Sequence, residues 1–402
     1  MIFEPDLETM PRERLEELKL QRLRALAPVD SLDELRELPF TRKDDLREAY
    51  PLGLVKVPRT QLRRLSASSG TTGKPTVVAY TPDDLDLFAR VVARVLAAAG
   101  AEPGMTLHNA YGYGLFTGGL GFHDGGERLG LAVVPVSGGL TERQLTLITD
   151  LEPDVLACTP SYALTLAQAF AERGVSPAEI SLRIAMLGAE PWTEAMRREI
   201  DAGLGVRAVN VYGLSEIIGP GVAGECAEER AGLHVNEDHF LPEIVDPASG
   251  EPLPEGEPGV LVITTLTKEA LPLVRYWTGD ITALDRSPCT CGRTFVRMAA
   301  PAGRTDDMLI IRGVNVYPSQ VEAILLELSE LTPNYRIVVE RTGTLDTAAV
   351  EIETAHASEE LRERAERRLV ESIGCSIAVH LQPPGTVPRS EGGKLQRVED
   401  RR

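Results

Sequence analysis

The sequence predicts an α/β protein, with a large N-terminal domain built on a parallel, helix-covered sheet and a smaller C-terminal α+β domain. From about residue 61 to 216, short apolar runs alternate with helical stretches, which is typical of parallel strands joined by helices. Between 240 and 300 the helical stretches stop and Pro/Gly turns separate the runs, which indicates a small antiparallel β region. A different strand–helix unit begins after residues 303–307.

The individual elements follow from local patterns. The first 50 residues contain two charged helical stretches, PRERLEELKLQRLRAL and SLDELREL, the second opened by a Ser cap. Strand–helix pairs follow, such as PTVVAY with DLDLFARVVARVLAAAG and DVLACTP with SYALTLAQAFAERG. The last unit contains strand MLIIRG, helix PSQVEAILLELSEL, strands YRIVVERT and AAVEIET, helix SEELRERAERRLVESIG and strand IAVHLQPP. At roughly 95 residues, this unit has the normal size of a domain.

Composition argues against several classes of function. The chain has 402 residues and a net charge of −18, and so acidic a surface disfavours nucleic acid and anionic membranes as partners. No apolar run approaches the ~20 residues of a membrane span, and the N-terminus lacks the apolar region of a secretory signal. Five cysteines in this length do not make a disulfide scaffold, so we expect a reduced, cytoplasmic protein.

The stretch SASSGTTGKPTVVAY, residues 66–80, has the composition of a phosphate-binding loop. It is not a Walker loop, because Gly70 and Gly73 are too close together and Pro75 stands where the magnesium-binding Ser or Thr should be. Its hydroxyls, accessible backbone and single positive charge can surround a triphosphate, although such a loop can also be an ordinary turn. The residues concerned are Ser68, Ser69, Gly70, Thr71, Thr72, Gly73 and Lys74.

Four further motifs follow this loop in order: VNVYGLSE, RYWTGD, GRTDDMLIIRGVNVYP and PRSEGGKLQR. Together they resemble the adenylate-forming superfamily of acyl-CoA synthetases, luciferases and peptide-synthetase adenylation domains. Longer phrases, such as NAYGYGLFTGGLGFH and DDMLIIRGVNVYPSQVEAIL, look like phenylacetate–CoA ligase and its aryl-CoA ligase relatives. The resemblance runs from about residue 35 to 397, so it covers most of the chain.

The resemblance implies a two-step reaction. An aromatic acid, phenylacetate-like or benzoate-like, would attack the α-phosphate of MgATP to give acyl-AMP and pyrophosphate, and coenzyme A would then displace AMP. It also implies an ATP- and acid-binding domain over residues 1–303, a hinge over 304–306 that turns at Asp306, and a mobile domain over 307–402. The loop at 68–74 would hold the β- and γ-phosphates.

Other site residues are assigned by the same resemblance. Glu216 would bind Mg²⁺, Asp280 would accept both ribose hydroxyls, and Arg304 would contact the ribose or phosphate region. Lys394 would offset charge at the α-phosphate. The residues that would flank the adenine are Glu190, Pro191, Asn210 and Tyr212. The apolar slot for the aromatic ring would be lined by Tyr111, Phe116, Gly188, Ala189 and Pro220, although aromatic side chains there can equally be ordinary core.

One Cys, one His and a C-x-C pair form a candidate metal site. Cys226 and His234 lie in GECAEERAGLHVNEDH, and Cys289 and Cys291 in SPCTCGRTF, a set that suits a closed, tetrahedral, structural Zn²⁺ site. Against this, C-x-C is rarer than C-x-x-C at zinc, and loop cysteines can simply stay reduced. The remaining two cysteines lie in apolar surroundings and are expected in the core.

Two features depart from the family pattern. The stretch between the first helix and SLDELREL is short and lacks an aromatic-rich segment, and Trp277 stands where a basic residue is usual. The short N-terminus leaves open a second interpretation, in which the enzyme delivers the acyl group to a carrier protein or an amine. A non-catalytic nucleotide-binding protein on the same scaffold is a third interpretation, and a homodimer is also left open.

Overall fold

Short helices form the N-terminal segment, as the charged helical stretches predict. The computed structural model describes residues 1–68, 75–305, 309–311, 314–342, 345–390 and 395–402. The first helices are α1 (Pro5–Glu8), α2 (Arg12–Leu26), α3 (Leu32–Glu37) and α4 (Lys43–Glu48). The predicted Ser cap is confirmed, because the hydroxyl of Ser31 accepts a hydrogen bond from the backbone N–H of Glu34 at 3.1 Å and so begins α3.

A hairpin and then alternating strands and helices follow. The hairpin strands are β1 (Arg64–Ala67) and β2 (Val77–Tyr80), which pair in antiparallel register. The alternating elements are α5 (Pro82–Ala98), β3 (Thr106–Asn109), α6 (Thr117–Leu129), β4 (Ala132–Val134), α7 (Thr141–Leu151), β5 (Val155–Cys158), α8 (Pro160–Glu172), β6 (Ile184–Gly188), α9 (Glu194–Leu204) and β7 (Arg207–Leu214).

The next stretch is made of strands, as predicted for residues 240–300. Its elements are β8 (Gly219–Glu225), β9 (Leu233–Val235), β10 (Phe240–Val245), β11 (Gly259–Thr265), β12 (Tyr276–Thr282), β13 (Leu284–Asp285), β14 (Arg297–Met298) and β15 (Gly303–Arg304). Within the described ranges, β10, β11, β12 and β15 form one antiparallel sheet. This sheet pairs Arg304 with Asp280, and the N–H of Thr305 bonds to the carbonyl of Gly279 at 2.8 Å.

The main sheet carries the core of the large domain. Its order is β13-β14-β9-β8-β7-β6-β5-β3-β4, and the pairs β7-β6, β6-β5, β5-β3 and β3-β4 are parallel. Strands β5 and β6 are buried along their whole length, because α5 and α6 pack with one apolar cluster and α8 and α9 with another. The carboxyl ends of β5, β6 and β7 therefore lie along one edge, where ligands bind in such sheets.

The C-terminal unit has its own sheet and its own apolar cluster. Its elements are β16 (Leu309–Ile311), β17 (Val314–Val316), α10 (Pro318–Leu325), β18 (Tyr335–Thr342), β19 (Leu345–Glu353), α11 (Glu359–Ile373), β20 (Ile377–Gln382) and β21 (Val398–Asp400). The predicted strands and helices are present, and β17 and β21 are additions. The α/β fold class is thus confirmed. Over the described ranges, no helix combines the length and apolarity needed to cross a membrane.

Candidate active site

A buried carboxylate with two strong donors marks the edge of the antiparallel sheet. Asp280 on β12 accepts a hydrogen bond from the hydroxyl of Tyr212 at 2.5 Å and one from Nη1 of Arg304 at 2.8 Å. Burial raises the pKa of Tyr212 well above its ordinary value, so the phenol keeps its proton and donates it. Three residues predicted from separate motifs are therefore brought together, with Asp280 bonded to both of the others.

Glu216 lies in the tight turn between β7 and β8 and is buried. A Cβ on Gly213 would stand 1.8 Å from the carbonyl oxygen of Gly219, so the turn needs glycine at position 213. The hydroxyl of Ser215 lies 3.0 Å from that of Thr117, at the start of α6. The predicted magnesium ligand is thus held in a rigid turn at the carboxyl edge of the main sheet.

Two lysines that the sequence analysis did not select surround this turn. Nζ of Lys268 is buried and donates to the backbone carbonyl of Glu216 at 3.0 Å. Burial lowers the pKa of Lys268 to about 8, although the negative charges of Asp84 and Glu216 act in the opposite direction. Nζ of Lys43 lies 4.0 Å from the carboxylate of Glu216. Lysine is much less frequent than arginine in this chain, and this low frequency is the sequence feature that could have marked the two lysines as functional candidates.

Two described residues lie at the predicted phosphate loop, where Ser68 directly follows β1 and Thr76 directly precedes β2. The N–H of Ser68 bonds to the carbonyl of Thr76 at 3.0 Å, which extends the ladder beyond the strands. The side-chain hydroxyls of both residues are buried and lack a hydrogen-bond partner among the described residues, a state that suits a site for a polar ligand. The predicted residues outside the described ranges are Ser69, Gly70, Thr71, Thr72, Gly73 and Lys74.

The residues predicted to flank adenine lie at the ends of two neighbouring strands. Asn210 and Tyr212 are on β7, and Glu190 and Pro191 follow β6, which pairs with β7 in parallel. The Glu190 carboxylate accepts a hydrogen bond from the N–H of Ser161 at 2.8 Å, at the N-terminus of α8. Its other oxygen accepts one from the N–H of Leu395 at 3.1 Å, so this residue also touches the C-terminal unit.

The predicted acid pocket lies around the start of α6. Tyr111 is buried and stacks on Phe122, with ring centroids 5.2 Å apart and planes 9° apart. A Cβ on Gly121 would lie 2.9 Å from Pro220. Gly188 ends β6, where a Cβ would stand 2.1 Å from the carbonyl oxygen of Val211. The two other predicted residues are Phe116, whose ring touches Gly118, and Ala189, which has a positive φ of 73°.

The four candidate metal ligands come together as the spacing predicts. The ligand atoms of Cys226, His234, Cys289 and Cys291 all lie within 4.8 Å of one another. Sγ of Cys226 is 3.6 Å from Sγ of Cys289, and Sγ of Cys291 is 3.4 Å from Nε2 of His234. Around a tetrahedral zinc ion with ordinary bond lengths, two sulfur ligands lie about 3.8 Å apart, and a sulfur and a nitrogen ligand lie about 3.6 Å apart. The cluster therefore fits such an ion. Nδ1 of His234 lies 3.4 Å from the carbonyl of Phe295, which suits the second nitrogen of a metal-bound imidazole.

Comparison with known proteins decides the family. Residues 8–267 match the AMP-binding enzyme family and residues 313–402 match the AMP-binding enzyme C-terminal domain. The phenylacetate-coenzyme A ligase of Thermus thermophilus is 58% identical over 444 aligned positions that cover 100% of both chains. The chain belongs to the phenylacetate–CoA ligase family of AMP-binding enzymes. The ligase of Escherichia coli is 50% identical over 92% of this chain and 86% of its own.

A related ligase has been solved in more than one catalytic state and can be compared with this one. It matches 2-hydroxyisobutyryl-CoA ligase in the postadenylation state with a TM-score of 0.92 and 27% identity, over 100% of this chain and 92% of that one. Against the thioesterification state of the same enzyme, the TM-score is 0.73, and the match covers 98% of this chain and 91% of that one. The two domains of this ligase are therefore arranged as in the postadenylation state.

Membership of this family makes the chain an AMP-forming acid–thiol ligase that uses ATP and coenzyme A. A non-catalytic protein, the third interpretation of the sequence, is therefore set aside. Two residues with predicted roles, Lys394 and Asp306, lie outside the described residues, and their roles stay predictions. The boundaries at 303 and 307 also stay predictions, to which the structure adds that the ladder of the large domain continues through Thr305.

Proposed function

We propose that this ligase activates an aromatic carboxylic acid, phenylacetate-like or benzoate-like, as its acyl-AMP and then transfers the acyl group to coenzyme A. The observation that carries the proposal is the buried Asp280 carboxylate held between Tyr212 and Arg304, in a chain that is 58% identical to a phenylacetate-coenzyme A ligase. The stacked aromatic pair of Tyr111 and Phe122 beside the carboxyl edge supports an aryl group as the part of the acid that is recognised.

In the first step, an oxygen of the substrate carboxylate attacks the α-phosphorus of ATP. The bond from that phosphorus to the oxygen bridging to the β-phosphate breaks, and pyrophosphate leaves. We assign Asp280 to the ribose hydroxyls and Arg304 to the ribose or phosphate region. The loop 68–74 would hold the outer phosphates, and the buried hydroxyl of Ser68, which has no hydrogen-bond partner in the described part of the chain, supports this assignment. The substrate acid is already ionised at neutral pH, so no general base is needed.

Glu216 would hold Mg²⁺, a hard cation that prefers carboxylate and phosphate oxygens. When bound, Mg²⁺ neutralises charge on the phosphate oxygens. The fixed turn around Glu216 supports this role, since its backbone carbonyl is anchored by Lys268. Lys394 would stabilise the charge that develops at the α-phosphate.

In the second step, the sulfur of coenzyme A attacks the acyl carbon, the bond from that carbon to the AMP oxygen breaks, and AMP leaves. The thiol proton passes to water. We propose that the C-terminal domain turns about Asp306 between the two steps, so that a different face of this domain meets the acyl-AMP. The different TM-scores against the two states of the related ligase support such a rotation.

We also propose a structural Zn²⁺ on Cys226, His234, Cys289 and Cys291. The cluster joins strand β9 and the end of β8 to the loop between β13 and β14. Since all four protein ligands fill a tetrahedral site, the ion would have no open position for chemistry. Its role would be to fix this edge of the main sheet.

The experiment is a screen of pyrophosphate release with MgATP across aryl and short aliphatic acids, followed by thioester formation with coenzyme A, a carrier protein or an amine as acceptor. We expect release with an aryl acid and AMP formation that depends on coenzyme A. A carrier protein or an amine that outperforms coenzyme A would favour the second interpretation. No release with any acid would refute the proposed function. In Lys394→Ala, we expect the first step to fall by orders of magnitude, while thioester formation from supplied acyl-AMP largely survives.

A further inference from the structure

One carboxylate connects the large domain to the C-terminal domain. Glu190 follows β6, and its two oxygens have different partners. Oε1 accepts a hydrogen bond from the backbone N–H of Ser161 at 2.8 Å, and Oε2 accepts one from the backbone N–H of Leu395 at 3.1 Å. The first partner is in the opening turn of α8, where the helix dipole favours a negative charge. The carboxylate is thus fixed by its own domain and presents its second oxygen to the other one.

The contact with Leu395 is positioned to matter for catalysis. Leu395 directly follows Lys394 in the chain, and β21 begins three residues later. The side chain of Arg397, between Leu395 and β21, packs over the ring of Tyr335 at 4.5 Å and donates to the carbonyl of Pro333 at 2.6 Å. This stretch is therefore attached to the core of the C-terminal domain, so that holding Leu395 holds the domain.

Two other contacts across the same interface are a hydrogen bond and an apolar contact. Nε of Arg389 donates to Oε1 of Gln168 on α8 at 3.3 Å, in an exposed position. Leu326, which follows α10, packs against the same apolar cluster of the large domain as Trp192 does. The Arg389–Gln168 bond and the Leu395–Glu190 bond each involve a charged group, and the second is the shorter, at 3.1 Å.

The domain arrangement seen here is that of the step after adenylation. The TM-score against the same related ligase falls from 0.92 in the postadenylation state to 0.73 in the thioesterification state, although coverage hardly changes. The two arrangements therefore differ in how the domains contact each other, and the hydrogen bond from Leu395 to Glu190 belongs to the first of them.

We propose that the postadenylation arrangement is also the one used for acyl-AMP formation, and that Glu190 is a positioning residue that holds the C-terminal domain in it, through Leu395, and releases it before coenzyme A reacts. The proposal rests on the two-step function above. It differs from the adenine role implied by resemblance, because a residue that holds adenine serves both steps, since ATP and acyl-AMP share this group. A residue that holds only the first arrangement serves the first step alone.

The test measures the two half-reactions separately in Glu190→Gln and Glu190→Ala. The first is pyrophosphate release with MgATP and the acid, and the second is thioester formation from supplied acyl-AMP and coenzyme A. Gln keeps one acceptor oxygen and Ala keeps none. We expect the first half-reaction to fall about 10- to 100-fold, the range for a lost hydrogen bond to a charged group. The second should be unchanged or faster. If the Ala variant does not fold, the Gln variant alone decides the outcome.

Glu194→Gln is the matched control, since it removes the same charge four residues away, on an exposed side chain paired with Arg197. It should leave both half-reactions unchanged. Gln168→Glu should act in the opposite direction to the Glu190 variants, because a carboxylate facing Arg389 would strengthen the interface. We expect it to slow thioester formation about two- to fivefold, which is the range for exposed ion pairs. Equal losses in both half-reactions of Glu190→Gln, in an otherwise active enzyme, would overturn the positioning role. A wild-type enzyme that releases no pyrophosphate would instead overturn the proposed function.

Discussion

The ammonium group of Lys268 donates a hydrogen bond at 3.0 Å to the backbone carbonyl of Glu216, from a buried position above the ring of Tyr80. The hydroxyl of Tyr80 donates in turn to the carbonyl of Ile218 at 2.9 Å. Two buried donors from elsewhere in the chain thus hold the turn that carries the proposed magnesium ligand. The position of that carboxylate depends on them.

Replacing Lys268 should disturb this turn. In Lys268→Met, the carbonyl of Glu216 loses its donor, and we expect a loss of about 1–3 kcal/mol in the free energy of unfolding. We also expect the Mg²⁺ concentration for half-maximal pyrophosphate release to rise several-fold. Urea unfolding and a magnesium titration measure the two effects. Lys56→Met is the control, and a Lys268→Met enzyme with a normal magnesium titration would show that the turn does not need this donor.

Asp280 should control nucleotide affinity. Asp280→Asn removes the charge that we assign to the ribose hydroxyls, so ATP and AMP should bind about 10- to 100-fold more weakly. Tyr212→Phe should act more mildly, because it removes one neutral donor at 2.5 Å and leaves Arg304 in place. Calorimetric titration with AMP measures both. Unaltered AMP binding in Asp280→Asn would contradict the ribose assignment.

The cysteine cluster should bind one zinc ion per chain. Elemental analysis of reduced protein tests this directly, and Cys291→Ser should lose most of the metal because only three of the four ligands remain. The same variant should unfold at a lower temperature, while ATP binding persists. Cys375→Ala, in the core of the C-terminal domain, is the control and should keep its zinc. If protein purified under reducing conditions contains no zinc, the proposed zinc site is wrong.

Acid should destabilise the fold through Glu237. Burial alone would raise the pKa of this carboxyl, but Lys19 at 3.1 Å and Arg12 at 2.5 Å outweigh burial and hold the pKa below its ordinary value. The unfolded chain therefore binds the proton more tightly than the folded one in acid, so the stabilisation is present above the ordinary value near 4.3 and is lost as the pH falls below it. Urea unfolding between pH 3 and 7 should show this loss. Glu237→Gln should be less stable at neutral pH and should have a flatter acid limb, whereas an acid limb as steep as that of the wild type would assign the loss to other groups.

Much of the fold follows from local sequence patterns. The predicted C-terminal strands and helices could be read from the sequence because hydrophobic periodicity and helix capping depend only on neighbouring residues. Strands β17 and β21 were not predicted, since three residues give no pattern. Pairing with β16 defines β17, and pairing with Ile337, Val338 and Val339 defines β21. The Cys₃His cluster was predictable because ligand chemistry restricts the residue types.

The contacts that hold the site could not be predicted in the same way. Lys268 reaches Glu216 across 52 residues and Glu190 reaches Leu395 across 205, and both contacts depend on how finished elements dock. A side chain that bonds to a backbone amide or carbonyl leaves no residue-type pattern in its partner. Tyr212, Asp280 and Arg304 were found because the order of the motifs in the chain was informative, although their contact was not visible.

The pairing of Arg304 with Asp280, and of Thr305 with Gly279, has a consequence for the order of events. Arg304 and Thr305 belong to the hydrogen-bond ladder of the large domain, and Thr305 directly precedes the proposed pivot, Asp306. In the proposed mechanism, the nucleotide half of acyl-AMP can therefore stay bound to Asp280 and Arg304 while the C-terminal domain rotates. Acyl-AMP, which hydrolyses readily, would then not have to dissociate and rebind between its formation and its reaction with coenzyme A. Water would have less opportunity to hydrolyse it.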